Sequence, residues 1–115
     1  MHERHARLAR AARAAVQAVG LRLLAEKPAN GVTAAWGPDG TDTSKLIALM
    51  RDKHGVTIAN GQGELKGKII RLGHMGYVSE GDLLVGLAAL EAGLKELGHE
   101  FEFGAGVRAA RETLV

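Results

Sequence analysis

Arginine is costly to bury without an anionic partner, and Arg71 stands in the apolar run Lys68-Ile69-Ile70-Arg71-Leu72-Gly73, whose neighbours imply a buried strand. Its planar fork suits bidentate binding of a carboxylate, supplied either by a structural Asp or Glu or by a ligand. The segment before it is Asn60-Gly61-Gln62-Gly63-Glu64-Leu65-Lys66-Gly67, a loop with three glycines in seven residues and unusual backbone freedom. Together they read as part of an anion-binding site.

Phosphate templates do not fit that loop. The Walker A pattern Gly-x-x-x-x-Gly-Lys-Ser/Thr fails at both ends, since Gln62 stands where its first glycine belongs and Ile69 replaces its hydroxyl residue. A dinucleotide fingerprint needs its third glycine one residue earlier and a helix, not a strand, behind it. The histidines His2, His5, His54, His74 and His99 show no zinc-binding spacing. His74 alone sits beside the glycine-rich region, where it either orients a ligand or is hydrogen-bonded in a turn. There is no Gly-x-Ser-x-Gly elbow; Ser44 and Ser79 have helix-start roles, and Glu64 lacks a second carboxylate.

The elements that must position Arg71 follow from periodicity. Leu8, Ala12, Val16, Val19 and Leu23 predict a first helix over 4–25, weakened at Gly20. A turn at Pro28, Asn30 and Gly31 leads to a strand over 32–36, closed by Gly37-Pro38-Asp39-Gly40. A second helix starts at Thr41, Asp42 or Thr43 and runs to Gly55. Strands are expected over 56–59 and 68–73. Ser79 and Asp82 open a leucine-rich helix that ends at Gly98. Phe101 and Phe103 read as an extended cover, and 105–114 as a short terminal helix. The expectation is one α/β (α+β) domain over 1–115, a small three-stranded, mainly antiparallel sheet covered on one side by helices.

Composition narrows the classes. With no cysteine, disulfides, thiolate nucleophiles and sulfur-ligated metals are excluded, and the expected home is the cytoplasm. No apolar run approaches the roughly 18 residues a membrane helix needs, so no membrane partner is expected. Arg4, Arg7, Arg10 and Arg13 populate the polar side of the first helix; aromatics are only 3%, too few for base-stacking platforms, so no nucleic acid is expected.

Residues 60–76, ending Gly67-Lys68-Ile69-Ile70-Arg71-Leu72-Gly73-His74-Met75-Gly76, resemble the C-terminal signature of class V (fold type I) pyridoxal-phosphate-dependent aminotransferases, alanine/serine–glyoxylate type. The resemblance covers nearly the whole chain. It implies that Arg71 binds the α-carboxylate of an amino-acid or 2-oxo-acid substrate of glyoxylate or pyruvate type, with Gly61, Gln62, Gly63 and His74 lining the site. It also implies pyridoxal phosphate, held as a Schiff base by a lysine of a large domain that this sequence lacks. None of the six lysines here lies in such a motif. The cofactor is therefore not expected to bind covalently, the chain alone is expected to be inactive, and a homo-oligomer is expected. Asn60, where the family often has glycine, and Ile70, where an aromatic is frequent, are mild departures. The competing reading is a non-enzymatic ligand-binding or dimerisation module of the same fold.

Overall fold

A computed structural model describes residues 2–24, 32–73 and 80–115, without the side chains of 2–5, 32 and 73. The elements are α1 (His2–Ala18), β1 (Val32–Trp36), α2 (Thr43–His54), β2 (Ala59–Asn60), a 3-10 turn (Gly63–Leu65), β3 (Ile69–Gly73), α3 (Glu80–Glu96) and α4 (Ala105–Leu114). The sheet is antiparallel with order β1-β3-β2, so β3 is central. This is the α+β arrangement expected from the sequence.

Side-chain alternation divides the sheet into two faces. Thr33, Ala35, Ile70 and Leu72 share one face and are buried, and Ala35, Ile70 and Leu72 pack with leucines of the helices. Ala34, Trp36, Ala59 and Arg71 lie on the other and stay exposed or half-buried, while Ile69 of that same face is buried beside Gly61 of the glycine loop. Arg71 therefore does not share the burial of Ile70 and Leu72, contrary to the expectation from its neighbours. Strand period places it on the side the helices leave uncovered.

Small residues set the helix spacing. Leu8, Ala12, Ala15, Val16 and Val19 of α1 and the residues just after it are buried and face α4 and the sheet. A Cβ on Gly106 of α4 would lie 2.9 Å from Val19 Cγ1, and one on Gly93 of α3 would lie 2.8 Å from Leu46 Cδ1 of α2. An almost aromatic-free core closes because these helices approach each other over glycine and alanine.

Three boundaries differ from the periodicity. Helix α1 ends at Ala18 because Gly20 takes a left-handed φ of 87°, and residues 22–24 then run beside β1. There Leu24 N–H donates to Ala34 O at 2.9 Å and Trp36 N–H to Arg22 O at 2.8 Å, so Leu23 is an edge residue of the sheet rather than helical. The strand expected over 56–59 is found instead at Ala59–Asn60, sharing only Ala59 with the expectation. Phe101 stacks on His99 at 5.4 Å and packs on the core, but Phe103 is 57% exposed and covers little. By contrast α2, capped by Asp42 and closed at Gly55, follows the expected bounds. Ser79 lies outside the described residues, as do Pro28, Asn30 and Gly31.

The arginines of α1 are partly structural. Arg7 donates to Leu114 O and pairs with Glu80 at 3.0 Å, tying α1 to α4 and to the start of α3. Arg10 is exposed and Arg13 half-buried.

Candidate functional site

Arg71 lies in the middle of β3, opposite Ala34 on one side and Ala59 on the other. Its Nε donates to Asn60 O at 2.7 Å, and among the described residues no carboxylate pairs with it. Of the two partners considered for this residue, an intramolecular salt bridge is not found among the described residues. The half-buried guanidinium has its inner edge on a backbone carbonyl, and its outer nitrogens meet no acid among the described residues.

Asn60 is the hub of the glycine loop. Its Oδ1 accepts from Gly61 N–H at 2.8 Å and Gly67 N–H at 2.9 Å, and its Nδ2 donates to Ser44 Oγ at 2.8 Å. The loop is closed further by Leu65 N–H to Gln62 O, Lys66 N–H to Gly63 O and Lys68 N–H to Leu65 O. The amides of 61, 65, 66, 67 and 68 thus point into the loop's own acceptors. They do not form a cradle for an anion. A Cβ on Gly61 would lie 2.4 Å from Leu65 O, so this position requires glycine for self-packing. Gln62 and Gly63 are exposed at the loop tip. His74 lies outside the described residues.

Sequence reasoning passed over Asn60 as a mild substitution and gave Ser44 only a helix-start role. Ser44 N–H does bond the Asp42 cap at 2.9 Å, but its hydroxyl is the acceptor that anchors Asn60. The available signal was a polar amide at the head of a glycine loop, a residue type that bonds nearby backbone groups.

A cavity of about 610 Å3 lies elsewhere, between Gly20, Arg22, Trp36, Asp39, His99 and Glu100, among others. Arg22 covers the Trp36 ring at 5.5 Å, and His99 Nε2 lies 2.7 Å from Val19 O. Both are engaged within the fold, and Asp39 and Glu100 add negative charge that disfavours a carboxylate.

No protein-family model matches the chain. It is 43% identical over 98% of its length to an uncharacterized aminotransferase of Methanocaldococcus jannaschii, covering 30% of that protein. It is 42% identical over 97% of its length to a protein named soluble hydrogenase, small subunit, of Synechococcus sp., again covering 30%. Its fold superposes on the ureidoglycine–glyoxylate aminotransferase of Bacillus subtilis with a TM-score of 0.90 and 34% identity, over 96% of this chain and 30% of that one. The chain aligns with the C-terminal part of class V aminotransferases. It spans about 30% of the length of the relatives it matches.

Aminotransferases of this family use pyridoxal phosphate. The described residues do not fit that group: Lys45, Lys53, Lys66, Lys68 and Lys95 are all exposed, Lys53 pairs with Glu96 and Lys95 covers Phe103. A Schiff-base lysine needs a pocket that lowers its basicity, and these five lack one. Among the described residues, no lysine is placed to hold the cofactor's aldehyde.

Proposed function

We propose that this chain is the substrate-carboxylate-binding part of a pyridoxal-phosphate-dependent aminotransferase, with Arg71 gripping the α-carboxylate of an amino acid or 2-oxo acid. One observation carries the reading: a half-buried arginine on the helix-free face of the sheet, flanked by Ala34 and Ala59, with no acidic partner among the described residues. The name of the similar Bacillus subtilis protein makes glyoxylate a reasonable oxo-acid class, and pyruvate is the next larger member. Arg71 supplies charge and orientation, holding a substrate's carboxylate against a rigid strand. The cofactor supplies the electron sink in the complete enzyme.

The large domain that holds the cofactor then packs on the open face, and the chain alone performs no transamination. Without that domain, copies of the chain associate through this face. Titrating the chain with pyruvate, and with pyruvamide as the uncharged control, tests the carboxylate reading. Amide shifts at Ala34, Ala59 and Asn60 should move with pyruvate only, and that response should vanish in Arg71→Ala. Equal movement in both proteins would remove Arg71 from the site.

A further inference from the structure

We infer that Asn60 is the positioning residue for Arg71 and that it makes the guanidinium receive a carboxylate end-on, through its two Nη groups. This rests on the reading of Arg71 given above. A guanidinium offers two forks to a carboxylate, the side formed by Nε and one Nη and the end formed by both Nη. Here Nε already donates to Asn60 O at 2.7 Å, so the side fork is occupied and, among the described residues, nothing engages the end fork.

The direction of that carbonyl is fixed by its own residue. Asn60 is held at three further points: Oδ1 by the amides of Gly61 and Gly67, and Nδ2 by Ser44 Oγ at the first turn of α2. Its backbone is also registered against Ile70 in the sheet. Rotation of the carbonyl would break bonds to the loop and to α2 together. The line from α2 through Ser44 and Asn60 to Arg71 therefore aims the cation.

The test is the side-chain nitrogen spectrum of Arg71 in the 115-residue chain, with and without pyruvate, in the parent, Asn60→Gly and Ser44→Ala. In the parent, Nε–H should exchange slowly with solvent, and pyruvate should shift the Nη signals far more than Nε. Asn60→Gly should speed Nε–H exchange and weaken pyruvate binding about fivefold, the loss of one hydrogen bond's worth of orientation. Ser44→Ala removes a single anchor and should give a smaller change in the same direction; it decides the matter if Asn60→Gly does not fold. Variants that melt earlier yet keep the parent's Nε–H exchange and pyruvate affinity would show a purely structural Asn60 and overturn the inference. So would a parent in which Nε moves as much as Nη. A parent blind to pyruvate at Arg71 would retire the carboxylate reading instead, and the exchange rates would still decide whether Asn60 holds the guanidinium.

Discussion

At the scale of single residues, the arginine was legible in the sequence and its surroundings were not. An arginine among Ile69, Ile70 and Leu72 has to be paired, but a strand's two faces alternate, and only the register shows that Arg71 points away from Ile70 and Leu72. Its inner partner is a backbone carbonyl, which leaves no mark in residue types. The glycine loop was legible as a loop, but its amides are consumed by Asn60 and by its own carbonyls, so glycine serves packing at Gly61 rather than contact with a ligand. The fork makes a chemical distinction that charge alone does not. Arg71→Lys keeps the cation and loses the paired donors, and should weaken pyruvate about tenfold. Binding by the lysine variant equal to the parent's would mean that only charge matters at this position.

At the scale of elements, α2 and α4 were read at their true ends because a cap and a turn announce them. Helix α1 was overrun because periodicity continues past it: Leu23 keeps the helical spacing after Gly20 has already turned the chain into an edge strand. One device has no local signature at all. Glu91 of α3 is 2% exposed, and its carboxylate accepts from Gly104 N–H at 2.5 Å and Val107 N–H at 2.9 Å, capping α4 from another helix. Gly104, the residue at the cap, has no side chain to do this. Glu91→Ala should cost about 2 kcal/mol, since it strands amides in the interior, and lower the melting temperature by roughly 10 °C. Melting within a degree or two of the parent would mean that water or the backbone replaces the carboxylate without loss.

At the scale of the whole molecule, the helices bury one face of a sheet and leave Arg71 on the other, without an acidic partner among the described residues. The purified chain, supplied with pyridoxal phosphate, an amino acid and glyoxylate, should show no transamination; measurable turnover would contradict the division of labour between the two domains. Light scattering on the purified chain should show association through the open face, and a clean monomer at high concentration would count against it. The central claim is decided by the dissociation constant of pyruvate for the parent and for Arg71→Ala. A bidentate charge-assisted contact predicts a weakening of about tenfold or more in the variant. Equal constants for the two proteins would contradict it.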